Sequence, residues 1–230
     1  MPYSVQNIRN VCLLGHSGTG KTSLVESLLY MTGASVRQGN PADGNTVSDF
    51  DPEEIKRQIS IYTAIAPVEY NGCKINILDT PGNFDFSGEV LEAMRVSDLA
   101  VIVCDAKAGG VSVGTERAWN FLEARKLPRM IFVSKIDEDN GDYNGAFDAL
   151  RQRFGKMCIR DRLHTGALGI VLVGILIWRT QRIRPPFEEF YFVYYIIQRK
   201  SAQEICWKSV LIFCKFGLQE LCMGFIMRFE

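Results

Sequence analysis

The chain has 230 residues, with 26 lysines and arginines against 26 aspartates and glutamates, so its neutral balance excludes a charged disordered segment and a nonspecific nucleic-acid binder. Hydrophobic residues make up 47% and charged residues 23%, which excludes collagen and coiled coil and allows one large domain or two small ones. The balance is not uniform: residues 1–156 carry 16 basic and 20 acidic side chains, whereas residues 157–230 carry 10 and 6, together with almost half of the aromatics. Two compositions are joined end to end.

The elements of the first part alternate. Ile8 to Leu14 is short, apolar and β-branched, and predicts a strand. A glycine-rich turn follows, then Lys21 to Met31, whose apolar positions Leu24, Val25, Leu28 and Leu29 have helical spacing. Asp51-Pro52-Glu53-Glu54 predicts a short helix start, with Asp51 as cap, Pro52 at the first position and Glu54 reaching back. Ile59 to Tyr70 and Lys74 to Leu78 flank Asn71-Gly72, a two-residue hairpin turn between antiparallel strands. Then come a helix Phe86 to Val96, a buried strand Leu99 to Cys104, a helix near Thr115 to Arg125, a strand Met130 to Val133 and a helix Tyr143 to Phe154. Such alternation predicts an α/β fold, a mostly parallel sheet with helices on both faces, whose ligands bind at the carboxyl ends of the strands.

The polar motifs fall at those ends. Gly15-His16-Ser17-Gly18-Thr19-Gly20-Lys21-Thr22 fits G-x-x-x-x-G-K-[ST] in the strand-loop-helix setting that makes it a P-loop. Its backbone N–H groups would point at a polyphosphate, Lys21 would reach the β and γ phosphates, and the Thr22 hydroxyl would ligate Mg²⁺. Asp79-Thr80-Pro81-Gly82 ends the strand Ile75 to Leu78, so Asp79 would hold Mg²⁺ through water and the Gly82 N–H would face the γ-phosphate. Ser134-Lys135-Ile136-Asp137 ends the strand Met130 to Val133. A carboxylate at Asp137 can accept both N1–H and the N2 amino group of guanine, which favours GTP over ATP, and the Lys135 stem would cover the base. A P-loop ATPase is the rival reading, carried by Ser134 alone.

These residues resemble the translational GTPases, and among them elongation factor G with its divergent paralogues. The resemblance rests on GHSGTGKTSL, VSDFDPEEIKRQISI, DTPGNFDFSGEV with EAMRVSDLAVIVCDA, and SKIDEDN, and it covers about residues 5 to 156. It implies a P-loop G domain that binds GTP or GDP with Mg²⁺, hydrolyses GTP, and acts on the ribosome through a full-length parent, with no specific DNA partner and a monomeric state. Where the family carries Gly and Thr, this chain has Gln58 and Ser60, and the Ser60 hydroxyl would serve Mg²⁺. Ser134 stands in the place of the family's Asn, which weakens the hydrogen bonding of that loop. Asn83 stands where the family has the histidine that positions the attacking water. The implied catalytic set is thus Lys21, Gly82 and Asn83, with slow hydrolysis, or a GTP-sensing module without useful turnover.

After Lys156 the family's next strand and helix, and a Ser-Ala pair that touches guanine, have no recognisable counterpart, so the domain reads as truncated. Met157 to Arg162 looks like translated sequencing adapter, which makes residues 157–230 an apolar tail of foreign origin and leaves the edge beside Met130 to Val133 bare. The rival is a genuine tail with a buried helix at Gly166 to Trp178 and a strand or membrane-surface segment at Phe187 to Ile197. The run Gly166 to Trp178 is shorter than the about 20 residues a bilayer span needs. Met1 to Asn10 lacks a basic patch and an apolar run, so a cytoplasmic location is expected. Seven cysteines without a CxxC pair read as buried thiols.

Overall fold

The structure, a computed structural model, describes residues 3–107, 109–155, 160–164, 191–197, 210–214 and 223–227. Strand β1 (Ile8–Leu14) enters the P-loop, and helix α1 (Lys21–Met31) leaves it. Helix α2 (Pro52–Arg57) lies in the long connection to the hairpin of β2 (Ala64–Tyr70) and β3 (Cys73–Asp79). Then follow α3 (Ser87–Val96), β4 (Leu99–Asp105), α4 (Val113–Arg125), β5 (Arg129–Ser134) and α5 (Tyr143–Phe154). Further on are β6 (Arg160–His164), β7 (Tyr191–Ile197), β8 (Val210–Cys214) and β9 (Met223–Met227).

The main sheet has the order β2-β3-β1-β4-β5-β7-β6, with β2 antiparallel to β3 and every other neighbour parallel. Strands β8 and β9 form a separate antiparallel pair. The expected bare edge beside Met130 to Val133 is corrected. Tyr191–Ile197 pairs in parallel with β5, Met130 opposite Phe192 and Val133 opposite Tyr195, so the tail satisfies the ladder there. The proposed helix at Gly166 to Trp178 lies outside the described residues, as do Cys158, Cys206 and Cys222.

Alternation along the strands divides the core. Cys12, Leu14, Ala100, Ile102, Cys104, Ile131 and Val133 pack with Ala93 and Met94 of α3, Ala118, Trp119 and Leu122 of α4, and Ala146, Phe147 and Leu150 of α5. Helix α1 packs with β2 and β3, burying Leu24, Val25, Leu28 and Leu29. Strand β4 is buried from Leu99 to Cys104, as a central strand covered on both faces must be. Cys12, Cys73 and Cys104 are buried, and burial pushes the Cys12 and Cys104 thiols up to about 11 and about 12.

Local chemistry explains the boundaries. Asn71 and Gly72 both have positive φ, 46° and 75°, as a primed two-residue hairpin turn requires. The capping box on α2 is present in both directions between Asp51 and Glu54. Strand β2 begins at Ala64 rather than at Ile59, because side chains occupy the backbone donors ahead of it. Ile61 and Tyr62 N–H donate to the Glu54 carboxylate at 2.8 and 3.0 Å, and Thr63 N–H donates to Glu89 at 2.8 Å. No helix among the described residues is long and apolar enough to cross a membrane.

Candidate functional site

The loop between β1 and α1 reaches its helix through Gly20, which caps α1 in the left-handed region at φ 90°, a conformation costly for a residue with a Cβ. Thr19 is buried and its hydroxyl donates to the His16 carbonyl at 2.9 Å, closing the turn. Lys21, the first residue of α1, folds back over the loop, and its Nζ donates to the carbonyls of Gly15 at 3.1 Å and His16 at 2.9 Å. Burial pulls its ammonium down to about 8, against the opposing pull of Asp79 and Asp49.

Asp79 ends β3 beside the end of β1, paired with Leu13 across the ladder. It is 1% exposed, and neither carboxylate oxygen has a partner in hydrogen-bond geometry, although the Thr22 and Ser48 hydroxyls are near enough to favour its ionised form. Burial pushes its carboxyl up to about 6, although Lys21 nearby pulls the other way. The Thr22 and Ser60 hydroxyls face each other at 3.4 Å. An oxygen-only set of one orphaned carboxylate and two hydroxyls suits a hard cation such as Mg²⁺, so these residues fit that ion.

Gly82 follows at close quarters. A Cβ there would lie 2.5 Å from Lys21 Nζ and 2.6 Å from the Ser17 nitrogen, so only glycine lets this segment approach the loop. Asn83 is half-buried and caps a short 3₁₀ turn, Phe84–Phe86, with its side chain accepting from Asp85 N–H at 3.3 Å. The Phe84 ring lies 5.5 Å from that of His16 and 5.2 Å from the Arg117 guanidinium carbon. A cavity of about 30 Å³ lies between this turn, the P-loop and α4, lined among others by Gly82, Asn83, Gly114 and Arg117.

The segment after β5 meets the loop from the other side. Ser134 Oγ lies 2.7 Å from the Thr19 carbonyl oxygen and 3.0 Å from that of Cys104, in place to donate to either. Lys135 Nζ makes an ion pair with Asp105 at 2.7 Å, which fixes the direction of its aliphatic stem. Asp137 is exposed in the loop that leads to α5.

The structure therefore gathers the P-loop, Ser60, Asp79, Gly82 and Ser134 at the carboxyl ends of β1, β3 and β5, with Asn83, Lys135 and Asp137 on the flanking loops. Sequence reasoning missed Ser48 and Asp49, which are 4% and 8% exposed. Burial pushes the Asp49 carboxyl upward, and Asp49 acts in turn on Lys21 and Asp79. It also missed Glu26, fully buried in α1. The one available signal was a glutamate inside the apolar stripe of α1.

The family model of the elongation factor Tu GTP binding domain matches residues 6–221, a span that runs past Lys156. Elongation factor G 2 of Streptomyces coelicolor is 36% identical over 178 residues, 74% of this chain and 26% of that protein. The elongation factor G-like protein of Mycobacterium tuberculosis is 39% identical over 169 residues, 74% of this chain and 23% of its own length. A crystal structure of a protein from Thermus thermophilus is 40% identical with a TM-score of 0.63, over 68% of this chain and 24% of that one. The chain thus spans about a quarter of the length of these relatives. It belongs to the family of the elongation factor Tu GTP binding domain, as the G domain of an elongation factor G-like translational GTPase.

Proposed function

We propose that residues 1–156 bind GTP and GDP with Mg²⁺ and hydrolyse GTP slowly, as the G domain of a translation factor that acts on the ribosome in the cytoplasm. The observation that carries this reading is the Asp79 carboxylate, buried with both oxygens unpartnered next to Lys21. A buried, unpaired carboxylate is costly, and a site keeps one when a cation is to be met there. Thr22, Ser60 and Asp79 would hold Mg²⁺, which when bound neutralises charge on the β and γ phosphates.

The chain's own residues supply the rest. Backbone N–H groups from Gly15 to Thr22 cradle the phosphates, Lys21 turns from the loop carbonyls to the phosphate oxygens, and the Gly82 N–H faces the terminal phosphate. Asp137 accepts from the guanine edge, while Lys135, held by Asp105, keeps its aliphatic stem along that side.

Asn83 favours a second reading, a GTP-sensing module with little turnover. Its side-chain oxygen accepts from Asp85 N–H at 3.3 Å, and a carboxamide, unlike an imidazole, has no basic site at neutral pH. Such a group cannot take up the proton that the attacking water must lose. Binding of a fluorescent GTP analogue with and without Mg²⁺, followed by single-turnover hydrolysis, tests both readings. Mg²⁺-dependent binding with measurable phosphate release supports the first, binding without release supports the second, and no binding removes both.

A further inference from the structure

Glu26 lies one helical turn after Thr22 on α1 and is 0% exposed. Its two oxygens are taken up by backbone rather than by a cation. Oε2 accepts from Gly39 N–H at 2.9 Å, and Oε1 accepts from Val47 N–H at 2.5 Å. One carboxylate thus fastens both ends of the loop 39–47 to the helix that carries Lys21 and Thr22.

The loop is built to use that anchor. Asn40 N–H donates to Asn45 Oδ1 at 2.7 Å and Arg37 Nη2 donates to the Asn45 carbonyl at 3.0 Å, which draws the two limbs together. Gln38 Nε2 donates to Ser27 Oγ at 2.8 Å, a second tie to α1. Gln58 Nε2 donates to the Ala42 carbonyl at 3.1 Å, two positions before Ser60. Gly39 has no room for a side chain, since a Cβ would lie 2.5 Å from Glu26 Oε2 and 2.9 Å from the Asn45 carbonyl oxygen. Past Val47 the chain goes directly into Ser48, buried with an unpartnered hydroxyl, and Asp49, buried within electrostatic reach of Lys21 and Asp79.

We propose that Glu26 is a positioning residue: by clamping Gly39 and Val47 to α1, it sets where Ser48, Asp49 and Ser60 stand relative to the P-loop, and so makes the site prefer Mg²⁺ with a triphosphate over a diphosphate. The inference rests on the GTP-binding reading above. The physical reason is the acceptor count. A carboxylate offers an acceptor to each N–H, whereas a carboxamide offers one acceptor and turns an N–H₂ donor toward the other N–H. The diphosphate makes its contacts with the P-loop, which Glu26 does not touch, so its binding is insulated from the clamp.

The test uses the full chain and two variants that attack the clamp from opposite sides, Glu26→Gln and Gly39→Ala. Affinities for GDP and for GTPγS are measured with Mg²⁺ and with EDTA, and thermal melts are followed by circular dichroism. Both variants are expected to lose about tenfold of the Mg²⁺-dependent GTPγS affinity, with GDP affinity held within about threefold. Gly39→Ala keeps the carboxylate, so it carries the test if Glu26→Gln fails to fold. An unchanged ratio of GTPγS to GDP affinity in the folded variants overturns the proposal, and so does an equal loss for both nucleotides, which marks a general fold effect. A wild-type chain that binds neither nucleotide fails at the earlier reading, and this inference falls with it.

Discussion

Ser134 Oγ lies 2.7 Å from the carbonyl oxygen of Thr19, a contact that joins the loop after β5 to the P-loop across 115 positions of sequence. The same hydroxyl lies 3.0 Å from the Cys104 carbonyl at the end of β4. Serine here links the ends of β4 and β5 to the P-loop, although the family pattern carries a larger amide at this position.

Ser134→Ala should therefore loosen the site from the base side. It removes the single hydroxyl donor that the two carbonyls share in a part-buried setting, a change that costs about 1–3 kcal/mol. We expect a lower melting temperature, with GDP and GTP affinities reduced alike, measured by thermal denaturation and nucleotide titration. An unchanged melt would show that water replaces the hydroxyl at no cost.

The ionisable pair at the centre gives a pH dependence with a definite sign. The Asp79 carboxyl is raised to about 6 from 3.8, so its contribution to stability is present below 3.8 and is lost as pH rises through about 6. Mg²⁺ needs the ionised form, so the Mg²⁺-dependent gain in GTP affinity should be complete at pH 7.5 and fade as pH falls through 6. Asp79→Asn should remove that gain at every pH and flatten the difference in melting temperature between pH 4 and pH 7. A wild-type Mg²⁺ effect that persists at pH 4.5 would contradict this account of Asp79.

Asn83→His replaces a cap oxygen and an amide donor with a ring that can accept a proton. Single-turnover hydrolysis should rise by about a hundredfold, the lower end of what a positioned base contributes. Loss of the cap over Phe84–Phe86 should cost about 1 kcal/mol, visible as a small drop in the melt. No gain in rate would show that the turn, and not the side chain, limits hydrolysis.

Asp137→Asn tests base selection. The carboxamide keeps one acceptor and gains one donor, which matches the C2 carbonyl of xanthine better than the amino group of guanine. Preference should move from GTP to xanthosine triphosphate in a competition titration. Retained preference for GTP would remove Asp137 from the base site.

Much of this arrangement was legible in the sequence where one local rule governs. The run Ile8–Leu14, the stripe of α1, the Asn71-Gly72 turn and the Asp51 cap each carry their own geometry. The segment Ile59 to Thr63 was not legible, because Glu54 and Glu89 take its N–H groups from distant positions and leave a β-like run without a strand partner. Glu26 and Asp49 were missed for a related reason. A buried acid looks like a surface acid until the backbone donors or neighbouring charges around it are in place. The cover on β5 is a nonlocal pairing, which no window of sequence around Met130 could announce.

The proposed role of Lys21 and the loop around it is to hold the phosphates of a guanine nucleotide. Its most direct measurement is a titration of the full chain and of Lys21→Ala with a fluorescent GTP analogue in the presence of Mg²⁺. Saturable binding by the wild type and a loss of about a hundredfold in the variant are expected, since charge-assisted hydrogen bonds contribute about 1.5–3 kcal/mol each. Affinity unchanged within about twofold in the variant would place the phosphates elsewhere and contradict the account.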